Sequence, residues 1–304
     1  VNSILNNSAA LSALQSLNMT QQALATVQNQ VSTGLSVSSA ADNAAYWSIA
    51  TQLNADSGMV TASNSALSQS QAVLDSGNTA INSIITTLNS IESALTEATN
   101  PGAALTDINT TLASLGQQLT DSVTGSSFNG INVLDGSTIA GSNTSINFVS
   151  GFNAGTNNVT TIGMNLTALY TANTGGGSGT GVLGQATGTT SIAGTYDLTQ
   201  LGATGGTAVT AANAQDILTA VVAAMNSVTN YGAQIGATQD RMSAMNNLNM
   251  ALTTNYANGV QGLVDADMNT ASTRLQALQT QEQLGIQSLS IANQNAQLIL
   301  KLFP

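Results

Sequence analysis

Leu53, Val60, Leu67, Leu74, Ile81, Leu88 and Leu95 recur every seven residues without a break. Apolar residues at that interval form one continuous stripe on an α-helix, so the run predicts a single long helix of roughly 65 Å at 1.5 Å per residue. A stripe of that length needs a partner. Val221, Val228, Ile235 and Met242 supply a second seven-residue register, preceded by Ile217 and continued by Met245, Leu248 and Leu252. These two helices are expected to pack against each other as a rod.

Both chain ends carry the same kind of pattern. Leu11, Leu14, Leu17, Leu24, Val27 and Val31 keep helical spacing up to Gly34, which predicts an amphipathic helix from about Ser8 to Thr33. At the other end Leu284, Ile291 and Leu298 lie seven apart, with Leu302 four further on. A terminal helix with one apolar stripe has no core of its own, and isolated helices of this length are marginal in water. These ten residues are therefore candidates for packing between the two ends and between neighbouring copies of the chain.

Between the helical blocks the signals change. Gly34 to Asp42 is Ser-rich and reads as irregular; the long helix then runs from about Asn43 to Thr99, where Asn100-Pro101-Gly102 stops it. Leu105, Ile108, Leu112, Leu115 and Leu119 predict a helix over about Ala103 to Ser122, folding back antiparallel on the first. In Phe128 to Gly136, Asn-Gly and Asp-Gly flank a short β-prone run, the signature of a hairpin. From Ser137 to about Gly206 the chain is mostly Gly, Thr, Ser and Asn, and reads as a β- or loop-rich outer lobe with mobile loops, too polar for a large core. The tract Gly175 to Gly179 lacks the Gly-Lys-Ser ending of a phosphate loop and reads as linker. The expected fold is mainly α: a long helical hairpin or coiled-coil rod formed by both chain ends, with a β-hairpin and a small loop- and β-rich outer insert.

Composition narrows function. The chain has no His and no Cys, which removes the commonest general base, thiolate catalysis, disulfides and most transition-metal ligand sets. A carboxylate pair could serve a glycosidase, but one Trp and five Tyr are few for a sugar cleft. No enzyme and no cofactor are expected. Asp265 and Asp267 lack the alternation and central glycine of a calcium loop and read as capping or solvated residues. The only cations are Arg241, Arg274 and Lys301 against a net charge of -11, so nucleic acid and anionic lipid would be repelled. No window reaches 18 uninterrupted apolar residues, so no membrane insertion is expected, and the first eight residues do not read as a Sec signal.

Several separated segments resemble bacterial flagellin. Val31-Ser32-Thr33-Gly34-Leu35-Ser36-Val37-Ser38-Ser39-Ala40-Ala41-Asp42-Asn43-Ala44-Ala45 is similar to the family's link between inner helix and rod, and Tyr46-Trp47-Ser48-Ile49-Ala50 to its alphaproteobacterial form. Ser127-Phe128-Asn129-Gly130 resembles the entry to the rod hairpin; Ile235 to Arg241 and Val264 to Met268 resemble the rod exit, and Ser290 to Gln297 the terminal core helix. The resemblance implies a helical homopolymer, with 1–42 and 265–304 forming an inner helical core, 43–136 and 213–264 the rod, and 137–212 a variable outer insert. It also implies secretion to an extracellular flagellum through the flagellar export apparatus, with a chaperone and with hook-associated and cap proteins as partners. Leu35, Ser36 and Asn54 stand where family members usually carry basic residues, so salt bridges between subunits are missing there or replaced by amide hydrogen bonds. A hook–filament junction protein, or a surface adhesin using the insert, are the alternatives.

Overall fold

The computed structural model describes residues 7–135, 145–171, 180–187 and 195–302, and the side chains only as far as 294. The described elements are helices α1 (Ser8–Thr33), α2 (Ala44–Ala98), α3 (Leu105–Thr124), α4 (Ala214–Val264) and α5 (Met268–Leu302), with strands β1 (Ser145–Asn153), β2 (Asn158–Asn165), β3 (Ala186–Thr187) and β4 (Thr195–Tyr196). Two compact units share this chain: a terminal unit, Val1–Gly58 with Thr253–Pro304, and a central unit, Met59–Leu252. They part within α2 and α4.

In the central unit the expected stripe is buried: Val60, Leu67, Leu74, Leu88 and Leu95 are fully enclosed, and Ile81 nearly so. A second stripe runs beside it. Ser63, Gly77, Ile84, Ile91 and Ala98 are also buried, three residues after each of their neighbours, which gives the alternating three-four spacing of a knobs-into-holes seam. On α4 the same spacing takes in Ala214, Ile217, Val221, Ala224, Val228, Tyr231, Ile235, Thr238 and Met242, all buried. Leu248 leaves the seam and is half exposed, and Asn249 is buried instead.

Gly77 marks where the seam admits a third partner. A Cβ there would lie 2.6 Å from Val133 Cγ2 and 3.6 Å from Ile235 Cδ1, so only a glycine lets Val133 enter. Val133 is aimed by the turn before it. Phe128 and Ile131 exchange both backbone hydrogen bonds at 2.9 Å, with Asn129 and Gly130 at φ 50 and 77, a two-residue turn of the primed kind. The hairpin expected over Phe128 to Gly136 is thus a single bridged turn, after which Val133 and Leu134 go into the core; Gly136 lies outside the described residues. Buried Asn132 holds this path, its amide donating to Val123 O at 2.6 Å and its Oδ1 accepting from Leu134 N at 2.8 Å. The Tyr231 hydroxyl donates to Val133 O at 2.6 Å.

The insert is small and β- and loop-rich, as expected, with β1 and β2 pairing antiparallel across a bulge at Ser150, and its described residues form no separate core. Phe148, Ile162, Met164, Leu169, Tyr170, Leu183, Tyr196, Leu198 and Leu201 join the same buried cluster as α2, α3 and α4. Asparagine side chains replace backbone partners at the joins: Asn109 Oδ1 accepts from Val209 N at 2.8 Å while its amide donates to Val209 O at 3.0 Å, and Asn249 donates to Ser150 O at 2.9 Å. Each join satisfies peptide groups that would otherwise be buried unpaired. The Tyr196 hydroxyl donates to Asp216 at 2.7 Å; burial and that carboxylate push its pKa up to about 12, and burial does the same for Tyr231. The glycine tract 175–179 lies outside the described residues.

Candidate assembly surface

The terminal unit is built on α1 and α5, which run antiparallel. Asn7 donates to Ala292 O at 2.9 Å near one end, Gln21 donates to Glu282 at 3.3 Å further along, and Ala266 N donates to Gly34 O at 2.9 Å at the other end. Gly34, at φ 74, is the left-handed cap that ends α1 and turns the chain. Leu35 and Asp265 then form an antiparallel bridge, and Ser36 N donates to Val264 O at 2.7 Å, so the two connectors are tied side by side. Val37, Ala50 and Val264 form a small buried cluster with Leu35, Val260 and Leu263 against it.

Each connector is closed by a carboxylate. Asp42 accepts from the backbone and hydroxyl of both Ser38 and Ser39 at 2.9–3.1 Å, and these bonds hold its pKa below the usual carboxylate value. Asp267 caps α5, accepting from the Thr270 hydroxyl and from the Asn269 and Thr270 amides, which depress its pKa likewise. That capping role was among the readings open for Asp267. Among the described residues no group of three or more His, Cys, Asp or Glu gathers to hold a metal, and no helix is long and apolar enough to cross a membrane.

The residues expected to drive assembly divide between two surfaces. Leu17, Leu24, Val27 and Val31 share a face of α1 with Ala10, Ala13 and Thr20, and this face is wholly or partly buried. On α5 the corresponding face is Ala271, Leu275, Leu278, Glu282, Gly285, Leu289 and Ala292. A Cβ at Gly285 would lie 3.2 Å from Leu17 Cδ1, so the helices approach closely there. These α1 residues therefore pack within the subunit. Leu11, Leu14, Leu284 and Ile291 turn the other way, 61%, 45%, 58% and 59% exposed, and Met19 and Ile286 stand free beside them. Leu298 and Leu302 lie on α5, beyond the described side chains. Leu53 is half buried near Gly259, while Tyr46, Trp47 and Ile49 are exposed on the first turns of α2.

An exposed apolar stripe on a helix that already has a partner is unusual for a monomer. The sequence pattern singled out Leu284 and Ile291, which lie exposed, and did not pick out the inward face of α5, the second seam of α2, or Asn109, Asn132 and Asn249. The signal for the seam was the three-four alternation; the asparagines gave none.

Residues 4–138 match the bacterial flagellin N-terminal helical region and residues 218–303 the bacterial flagellin C-terminal helical region. This chain belongs to the bacterial flagellin family. It is 36% identical to flagellin C of Rhizobium meliloti (strain 1021) and 34% identical to a flagellin of Brucella melitensis biotype 1, in each case over 99% of both chains. A flagellin of Caulobacter vibrioides is 30% identical over 100% of this chain and 99% of its own. This flagellin is accordingly a structural subunit that self-assembles into the bacterial flagellar filament, the extracellular propeller of motility, and not an enzyme. Matches to flagellins along nearly the whole length do not favour a hook–filament junction protein or an adhesin.

Proposed function

We propose that the filament contacts of this flagellin run through the outward faces of α1 and α5, with Leu11, Leu14, Leu284 and Ile291 entering neighbouring copies while Leu17, Leu24, Val27 and Val31 hold the subunit together. What supports this is the double use of α5: Ala271, Leu275, Leu278, Gly285 and Leu289 are turned toward α1 and are wholly or partly buried, while Leu284 and Ile291, seven apart, are exposed on the other side. Burying one such side chain is worth about 1.5–3 kcal/mol, and a helical polymer repeats the gain in every subunit.

The rest of the life cycle follows the family. The subunit leaves the cell as an unfolded chain through the flagellar export apparatus, guarded by a chaperone, and adds to a filament joined to hook-associated proteins under a cap. A chain with no cysteine and therefore no disulfide to reform suits that route. The insert's polar loops suit the solvent side.

The test is a Leu284→Gln, Ile291→Gln double variant. Circular dichroism should show the helix content retained, since neither residue faces α1, while sedimentation should show the concentration needed for filaments raised about a hundredfold, the equivalent of ~3 kcal/mol. Filaments forming at the wild-type concentration would contradict the assignment.

A further inference from the structure

Arg274 is the one cation among the terminal unit's described side chains, and none of the described residues pairs with it. It stands exposed on α5, one turn before Leu278, and lines an open groove of about 440 Å³ with Asn269, Thr270, Thr273 and Ala277. The other lining side chains offer one amide, two hydroxyls and the Ala277 methyl. Thr270, Thr273 and Ala277 lie on the same outward side of α5 as Leu284 and Ile291, so the groove continues the apolar stripe toward the helix N-terminus.

Among the described residues Arg274 makes no ion pair, although the chain carries 14 Asp and Glu against 3 Lys and Arg. A guanidinium left unpaired in so acidic a chain is surrounded by potential partners on other copies. We infer that the Arg274 groove receives a carboxylate from a second copy of this chain, forming an ion pair between subunits. The inference rests on the reading that the outward face of α5 meets neighbouring copies.

The terminal unit contains five described carboxylates: Asp42, Asp56, Asp265, Asp267 and Glu282. Asp42 and Asp267 are engaged by the hydroxyl and amide bonds of their own connectors, and Glu282 accepts from Gln21. Asp56 and Asp265 have no such bond among the described residues, and they are the two partners the groove would draw from a neighbour. Arginine fits this task because its planar fork meets a carboxylate with two parallel bonds and keeps its charge when water is excluded. A pair shut in beside an apolar stripe is also screened less by salt than a surface pair.

The experiment compares filament formation by the full chain and by Arg274→Gln, Arg274→Lys and Arg274→Glu, using sedimentation and electron microscopy over a range of sodium chloride concentrations, with circular dichroism confirming the fold. Arg274→Gln should raise the concentration needed for assembly about tenfold, Arg274→Lys less, and Arg274→Glu should abolish assembly. Combining Arg274→Glu with Asp56→Arg or with Asp265→Arg should restore filaments for one of the two, identifying the partner. Assembly of Arg274→Gln at the wild-type concentration and salt dependence, with wild type forming filaments normally, would overturn the ion pair and leave the filament reading intact. Failure of both charge-reversal pairs would overturn the carboxylate partner, and failure of wild type itself to polymerise would overturn both readings.

Discussion

Replacing Gly77 with Ala should destabilise the central unit, although the same change in an open helical position stabilises. Ala is favoured over Gly in a helix interior by about 1 kcal/mol. Against this, the added Cβ would stand 2.6 Å from Val133 Cγ2, well inside the ordinary carbon–carbon contact of about 3.5–4.0 Å. Val133 cannot easily move aside: it is β-branched and stiff at χ1, its carbonyl is held by Tyr231, and the next amide is held by Asn132. Overpacking of this kind costs about 1–3 kcal/mol, so the net effect is a loss of about 1 kcal/mol. Gly236, also inside a helix of the central unit, has nothing within 4 Å of its Cβ position, and Gly236→Ala should gain about 1 kcal/mol. Urea titration followed by helical ellipticity measures both, while fluorescence of Trp47, the single tryptophan, reports the terminal unit separately. Adding Val133→Ala to Gly77→Ala should cost less than the sum of the single changes, because the smaller side chain leaves room for the methyl. If Gly77→Ala stabilises as Gly236→Ala does, Val133 does not plug the seam and the reasoning fails.

Asn109→Ala removes both bonds to Val209 and leaves a peptide group without its partners, which should cost about 2 kcal/mol and speed hydrogen exchange at the Val209 amide. Asp42 and Asp267 have folded pKa values below their unfolded ones, so their stabilisation is complete above the unfolded value and is lost as pH falls through the folded one. Acid titration of the terminal unit by circular dichroism should accordingly be flattened by Asp42→Asn or Asp267→Asn. Tyr196 and Tyr231, raised to about 12, work in the alkaline direction: stability is intact below the ordinary phenol value near 10 and is lost as pH rises toward 12. Two phenols should ionise late when phenolate absorbance is followed in the folded protein.

Large aliphatics at a strict interval were legible in the sequence, and α1, α2, α3 and α4 follow them closely. The companion stripe of α2 was not, because Ser63, Ser70 and Gly77 occupy its first half; a packed seam there depends on small residues letting other chain segments in. The terminal helices were legible as apolar but not as two-sided. On α5 the residues that meet α1 mix Ala271, Gly285 and Ala292 with Leu275, Leu278 and Leu289, while Leu284 and Ile291 face outward, so apolar residues lie on both sides and the seven-residue spacing picks out only the outward one. The insert's place in the central core was hidden because its anchors are asparagines bonding to distant backbone, and nothing in their local sequence distinguishes them from loop residues. The carboxylates that close the connectors were visible as residues, and their hydroxyl partners became clear only from the turns themselves.

On the assembly proposed above, α5 faces its own subunit with one side and neighbouring copies with the other. Electron cryomicroscopy of filaments grown from the purified chain, with helical reconstruction to side-chain detail, tests it most directly. Leu11, Leu14, Leu284 and Ile291 should be buried against neighbouring subunits, with Leu17, Val27 and Leu278 still packed between α1 and α5 of one chain. Filaments in which Leu284 and Ile291 remain solvent-exposed, or in which α1 leaves its own α5, would contradict it.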